Sequence, residues 1–451
     1  MKTFFITTLG CKVNQYDSRK IKEVFLRNGW KQGVVMSEAD VCVVNTCCVT
    51  AQADRKSRYA IRYAVRQGPR SKIYVTGCYA VYNRQALEAM DGVDAVFKTE
   101  DRDHFLKNIF PEEGREDIGN ALFLSCGGAT RAFLKIQDGC DNGCSYCVIP
   151  VVRGPSRSRG PEAVFREARD LVMQGHKEIV LTGICLGAYG TDLDSRTDLV
   201  DVIEDLETID GLVRIRLSSI EAGDVSDRLI DKMASSSKLC PHLHIPFQSG
   251  DDTILAGMNK RLRTRDYRKI VHKARKAVPK LAVTCDLIVG FPGEKEENVR
   301  NTITFLEDIA PLRTHLFTFS PRKGTPLYVQ KTSIPLEVQR KRYDMLKSVA
   351  DKAASRVMRQ NMKKELDVLF EGRENGYWRG YSENYIRVAV ESSLCLENKI
   401  MKVRLTEHRG DLAFAEIVDM KPNSLRSKRM RPCMGGSKKI LTNEKSMVKF
   451  H

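Results

Sequence analysis

The 451-residue sequence predicts a mixed α/β protein: an N-terminal parallel-sheet α/β domain at 1–115, a central complete or partial β/α barrel with a trailing helix at 126–366, and a small all-β barrel at 367–420, followed by a basic tail at 421–451. Three observations predict it. β-rich runs in the first third each end at a cysteine and lead into a helix-like segment, strand and helix patterns alternate to about 325, and the last patterned stretch holds only short β-type runs. Alternating strands and helices make parallel sheets, whereas short strands between turn residues make small barrels.

FFITTLGC ends at Cys11 and precedes a mixed polar and apolar segment to about Asn28; DVCVVNTC ends at Cys47 and precedes AQADRKSRYAIRYAVRQ; KIYVTGC ends at Cys78 and precedes NRQALEAM. Ligands of parallel sheets gather beyond the carboxyl ends of the strands, so these three cysteines are expected to meet there. Cys42, inside VCVV, reads as a small core residue. Cys48 reads as a bystander, because only Cys47 shares the strand-end position of Cys11 and Cys78. A polar connection follows near 111–127. TRAFLKIQDGC then opens the barrel, whose later strands are EIVLTGI, VRIRLSSI, HLHIPF, AVTCDLIVGF and HLFTFS, with a site expected on their carboxyl-end face. The charged stretch at about 335–366, free of internal glycine and proline, reads as a helix, and NYIRVAVES, IMKVRLTEH and LAFAEIVDM as strands of the final barrel.

Lys and Arg number 74 against 57 Asp and Glu, a net charge of +17 that suits a polyanionic partner. From Lys421 onward nine Lys or Arg stand against Glu444 alone, which predicts a disordered tail. No apolar run approaches the roughly 18 to 20 residues that cross a bilayer. MKTFFITTLGC superficially resembles a secretory or lipoprotein signal, but Thr3, Thr7 and Thr8 break its apolar run, and a cytoplasmic protein without membrane contact is expected. Fourteen cysteines in such a chain are too few for a disulfide scaffold, and their clustering suggests thiolates reserved for metal.

The densest cluster is QDGCDNGCSYC at 137–147, where Cys140, Cys144 and Cys147 read Cys-x3-Cys-x2-Cys and no fourth cysteine follows nearby. A closed zinc site takes four ligands. Three thiolates suit three irons of a [4Fe–4S] cluster and leave the fourth iron open. Zinc completed by a histidine lacks a placed partner, since His176, His242 and His244 lie in other strand or helix units.

On these residues the barrel resembles the radical S-adenosylmethionine (SAM) superfamily, in which SAM chelates the open iron, and Tyr146 stands where the superfamily carries an aromatic near the adenine. With the second triad, Cys11, Cys47 and Cys78, and the small terminal barrel, residues 1–420 resemble the methylthiotransferases, which implies a methylthiotransferase domain with an auxiliary [4Fe–4S] cluster, a radical SAM partial β/α barrel, and a TRAM domain, an OB-like RNA-binding fold. LTGICLGAYG, RLSSIEAGDV, HLHIPFQSGDDTILAGMNKR, CDLIVGFPGE and FSPRKGTP resemble the family's strand-end motifs. The resemblance implies SAM contacts from Tyr146, Gly183, Gly187, Ser219, Glu221, Gln248, Ser249 and Asp286. Arg322 is expected to neutralise substrate or cofactor charge, and Tyr377, Trp378, Tyr381 and Tyr385 to offer an aromatic face to RNA or to serve as barrel core.

LGCKVNQYDS after the first strand resembles the branch acting on N6-threonylcarbamoyladenosine in tRNA; NTCCVTAQAD agrees except at Cys48, where threonine is more usual. The resemblance implies a methylthio group placed at C2 of that nucleoside in the anticodon stem-loop, using two [4Fe–4S] clusters, SAM, a sulfur source, and an electron donor such as flavodoxin or ferredoxin. The alternatives are the isopentenyladenosine branch, the branch modifying a ribosomal-protein aspartate, and a non-catalytic iron–sulfur RNA-binding redox sensor. KVNQ and the basic tail disfavour the aspartate branch, and a sensor needs no SAM pocket.

Overall fold

The computed structural model describes residues 1–98, 109–110, 130–329 and 334–418, so the expected connection at 111–127 and the basic tail lie outside the described residues. The first unit is a parallel sheet ordered β2-β1-β3-β4-β5, with β1 at Thr3–Thr8, β2 at Lys31–Gln32, β3 at Val41–Thr46, β4 at Lys72–Gly77 and β5 at Ala95–Val96. The run VCVVNT in β3 is buried throughout because the sheet is covered on both faces. Cys42 and Val44 pack with Ile61 and Ala64 on one side, while Val41 and Val43 pack with Phe4 and Phe25 on the other. Helices α1 (Lys12–Arg27), α2 (Ala51–Gln67) and α3 (Cys78–Tyr82) follow β1, β3 and β4. Thr50 starts α2 by accepting a hydrogen bond from the Ala53 amide at 3.1 Å.

Strands β6 (Arg131–Lys135), β9 (Glu178–Thr182), β10 (Arg214–Leu217), β11 (His242–Gln248), β12 (Ala282–Val289) and β13 (Arg313–Thr318) form two parallel sheets, β6-β9-β10 and β11-β12-β13. Parallel bridges Ile215–Leu239 and Ser219–His244 join them into one six-stranded arc. A short antiparallel pair, β7 (Gln137–Asp138) and β8 (Arg157–Ser158), sits above its first strand. Helix α1 closes against β6: Arg19 donates to the Phe133 carbonyl at 3.2 Å, and Lys135 pairs with Asp17 at 2.6 Å. Beside them Glu167 is ringed by Arg19, Lys20 and Arg159; burial pushes its carboxyl up, but these cations outweigh burial and hold it at about 2.

The trailing helix, Leu336–Asn361, is shorter than the sequence pattern suggested. Lys363 turns left-handed, and the next strand already begins at Glu365. The last unit is a closed barrel, β14-β15-β16-β18-β17, with β14 at Glu365–Glu374, β15 at Tyr377–Ser382, β16 at Arg387–Glu391, β17 at Ile400–Arg409 and β18 at Leu412–Ile417. The hairpin β14–β15 was not anticipated. Its Asn375-Gly376 turn, with both residues at positive φ, matches the twist of paired strands.

This barrel docks on the amino-terminal end of the six-stranded arc. Arg214 donates to the carbonyls of Asp367 and Tyr381, and Arg216 to those of Ser382 and Glu383. Arg216, fully buried, also grips Glu178 through two hydrogen bonds of 2.7 and 3.2 Å. Removing one member of such a pair leaves a buried charge, so Arg216→Met is expected to cost about 3–5 kcal/mol. A fall in urea midpoint would show this, and Arg216→Met combined with Glu178→Leu should recover most of the loss.

Candidate active site

The first cysteine group forms because three parallel strands stop at one level. Cys47 and Cys78 follow β3 and β4 directly, Cys11 follows β1 after Leu9 and Gly10, and the three act on one another electrostatically. Gly10 makes the approach possible: a side chain there would stand 2.9 Å from Cys47 Cβ and 3.2 Å from its Sγ, at a φ of +104°. Asn14 ties two strand ends together, its Nδ2 donating to the carbonyls of Leu9 and Thr46 at 2.7 and 2.9 Å. A hydrogen bond from Cys48, with help from Arg153 and against burial, draws the Cys78 thiol down to about 6. Cys48 itself is wholly buried in the core that also contains Cys42.

The second group lies on the loop between β7 and the short helix Ile149–Arg153, where Cys140, Cys144 and Cys147 are half-buried and mutually interacting. Gly139 turns the chain at φ +72°, and a side chain there would collide with the Pro155 carbonyl. Ser145 anchors the loop to the Gly257 carbonyl at 2.8 Å, and Tyr146 packs against Ile254, Met258, Phe291 and Leu327. One further buried thiol, Cys185, stands against Cys140 and draws it down to about 7.

Arg153 links the two groups. Only 2% exposed, it donates through Nε to Cys78 Sγ at 3.3 Å, through Nη1 to both Asp138 oxygens at 2.9 Å, and through Nη2 to Asn14 Oδ1 at 2.5 Å. Burial pushes the Asp138 carboxyl up, but Arg153 and Lys135 hold it at about 2. Beside this arginine lies a cavity of about 390 Å³ lined by Lys135, Gln137, Asp138, Arg157 and Arg159 among others.

The remaining expected residues divide. Glu221 pairs with Lys260 at 2.6 Å, close to Cys140 and Cys144. Gln248, at φ +69° on a bulge of β11, and Ser219, on the bridge to His244, are half-buried at strand ends. Asp286 meets His244 Nε2 at 3.2 Å, in a cluster with His315. Ser249 is buried, its Oγ accepting from the Asp251 amide at 3.2 Å. A side chain on Gly183 would stand 2.9 Å from Gln137 Oε1 and one on Gly187 only 2.1 Å from Asp224 Cβ, so protein packing already demands glycine at both.

The expectation for Arg322 needs correction, and the two roles open to the aromatics are resolved. Arg322 is buried and already neutralised, pairing with Asp54 at 2.8 Å and donating to the Cys48 carbonyl at 2.9 Å, so it clips FSPRKGTP to the first unit. Trp378 fills the small barrel's core, which removes it from any RNA face. Tyr381 stacks on Tyr385 with ring centroids 4.9 Å apart, and Tyr385 lies 4.3 Å from the His242 ring. These two tyrosines therefore plug the amino-terminal end of the arc. Tyr377, half-buried against Phe414, stays on the barrel wall.

A family model described as the radical SAM superfamily matches residues 134–306, and one described as uncharacterized protein family UPF0004 matches residues 3–98. The chain is 38% identical over 427 residues to the threonylcarbamoyladenosine tRNA methylthiotransferase MtaB of Bacillus subtilis, covering 90% of this chain and 94% of the relative. The chain belongs to the radical SAM methylthiotransferases. The MtaB of Thermotoga maritima is 34% identical over 93% of this chain and 99% of its own. The tRNA-2-methylthio-N(6)-dimethylallyladenosine synthase of Desulfitobacterium hafniense is 33% identical over 82% and 88%. The solved radical SAM methyltransferase TsrM of Kitasatospora setae shares the fold, with a TM-score of 0.55 at 14% identity over 73% of this chain and 78% of its own.

Methylthiotransferases of this type work with SAM and two [4Fe–4S] clusters, and the two three-thiol groups fit that requirement in donor type and number. Sequence reading missed Arg153, Asn14, Lys260 and Cys185. PVVRGPSRSR directly after the second triad, and Asn14 within KVNQ, were the available signals. Cys48 and Cys185 each press on one corner of a triad, so Cys48→Ala and Cys185→Ala are expected to retain about eight irons after reconstitution, whereas Cys47→Ala and Cys140→Ala fall to about four. Iron and sulfide analysis of the four variants checks this. Among the described residues no helix is long and apolar enough to cross a membrane.

Proposed function

We propose that this methylthiotransferase acts on tRNA, replacing the C2 hydrogen of N6-threonylcarbamoyladenosine beside the anticodon with a methylthio group. Two three-thiol groups, the second carried on a loop whose flanking Arg153 bonds Cys78 of the first, support this reading in a chain whose relatives include several named for that reaction. Cys140, Cys144 and Cys147 would hold the [4Fe–4S] cluster that serves SAM, and Cys11, Cys47 and Cys78 would hold the auxiliary one. When bound, these groups supply the one-electron chemistry, the methyl group and the sulfur.

The chain's own work is positioning and exclusion. Tyr146 and its apolar neighbours wall the cysteine loop from water, which protects reactive species and strengthens electrostatics at the site. Glu221 and Lys260 offer an opposed pair of charges to the amino and carboxylate groups of SAM. Arg153 places its charge on Cys78 and Cys11 of the first group and ties that group to Asp138, two residues before the second. Basic side chains around the neighbouring cavity suit RNA phosphate, and an electron donor and a sulfur source complete the reaction.

Anaerobically reconstituted with iron and sulfide, reduced with dithionite and supplied with SAM, the protein is expected to convert threonylcarbamoyladenosine in tRNA to its methylthio derivative with release of 5′-deoxyadenosine, read by nucleoside mass spectrometry. Alanine at Cys140, Cys144 or Cys147 should abolish both products, whereas alanine at Cys11, Cys47 or Cys78 should spare deoxyadenosine and stop sulfur insertion. Equal loss of both products in the two sets would sink the division of labour.

A further inference from the structure

The lumen of the arc contains a polar cluster that the cysteine groups leave unexplained. His244 on β11, Asp286 on β12 and His315 on β13 bring one ligand atom each within 4.8 Å of one another. His244 Nε2 and Asp286 lie 3.2 Å apart, with 16% and 22% of their side chains exposed although both sit inside the barrel. Water therefore reaches them. Thr284 Oγ1 bonds His244 Nδ1 at 2.9 Å, which fixes the ring against the strand.

Lys12 faces the same space from the other side. It directly follows Cys11 and begins α1, and its charge acts on Asp286, His242 and Tyr385. Its ammonium stands 6.0 Å from the Tyr385 ring centroid, and among the described residues its side chain makes no hydrogen bond or ion pair. The neighbouring cations are engaged: Arg216 with Glu178, and Arg131 with Glu371. Arg313, 3.7 Å from Asp411, still leaves a buried Nε unpartnered. A half-buried ammonium without a carboxylate, in a lumen whose floor is rich in cations, is a site for an anion.

We infer that Lys12 and the His244–Asp286–His315 cluster form the subsite for an amino-acid arm carried on N6 of the substrate adenine, with Lys12 binding its carboxylate and the cluster its hydroxyl and amide groups. This rests on the function proposed above and names the part of the site that reads the substrate. An isopentenyl arm has no anion to offer the Lys12 ammonium and no polar group for the cluster, so the free acid is favoured by the charge it alone brings. The placement also suits the reaction. C6, which bears N6, and C2 flank the same ring nitrogen, so an arm anchored one residue from Cys11 keeps C2 beside the first cysteine group.

The test is binding, measured by fluorescence anisotropy on the reconstituted full chain with anticodon stem-loops carrying threonylcarbamoyladenosine, its carboxylate methyl ester, or isopentenyladenosine. The wild type should bind the free acid at least about tenfold more tightly than the ester, the scale of one charge-assisted hydrogen bond. Lys12→Gln should erase that difference with its iron content unchanged, and Lys12→Arg should keep it. A Lys12→Gln protein with full iron that still separates acid from ester overturns the inference while leaving the proposed function standing. A wild type that prefers isopentenyladenosine overturns both. Should Lys12→Gln fail to take up iron, carbodiimide coupling of the acid-bearing stem-loop to the wild type decides: an adduct at Lys12 supports the subsite, and adducts only elsewhere refute it.

Discussion

A single buried guanidinium sets the relation between the two halves of the site. Arg153 belongs to the barrel unit yet bonds Cys78 and Asn14 of the first unit, while Asp138 of its own unit supplies the compensating charge. An arginine cannot be neutralised by losing its proton, so its burial is tolerable only while these acceptors stay in place. The same bonds that satisfy it hold the loop of Cys140, Cys144 and Cys147 against the strand ends of Cys11, Cys47 and Cys78. Two clusters that must act on one substrate atom need such a fixed separation.

Around this centre, the other contacts between units repeat one device: a charged side chain from one unit is satisfied by backbone or carboxylate of another. Arg322 pairs with Asp54 and the Cys48 carbonyl, Tyr16, Arg19 and Lys20 gather on Glu167, and Arg214 and Arg216 hold the carbonyls of the small barrel. Apolar interfaces would tolerate sliding, whereas directional bonds to buried groups do not. The small barrel thereby also shapes the interior of its neighbour. Its residue Tyr385, in a left-handed conformation, closes the floor of the lumen, where Lys12, Arg131, Arg216 and Arg313 overcome burial and draw its hydroxyl down to about 8.

Much of the architecture was legible in sequence because its signals are local. A strand ending at a cysteine and followed by a helix, repeated three times, announces a parallel sheet with its thiols on one edge. The alternation of apolar strand runs and amphipathic helices gave all six strands of the arc. The hairpin Glu365–Ser382 was missed because its strands mix charged and apolar residues on a small, highly curved barrel, where only one face is buried. Arg322 was misread and the role of Trp378 left open for a related reason: an aromatic or an arginine is equally at home in a core or on a ligand, and burial is a property of the assembled chain.

The sequence by itself determined the chemistry: six cysteines in two spaced groups, glycines where the chain must turn beside them, and a positive balance of charge. Spacing along the chain is enough for that, since ligands within one loop or at equivalent strand ends are placed by local geometry. Only the tertiary structure decided which groups share a cavity. Arg153 with Cys78, Lys12 opposite Asp286, and Tyr385 beneath His242 are separated by 75 to more than 270 positions of sequence, and no periodicity encodes such pairs; they arise when the faces of three units are pressed together and every buried charge must find its partner.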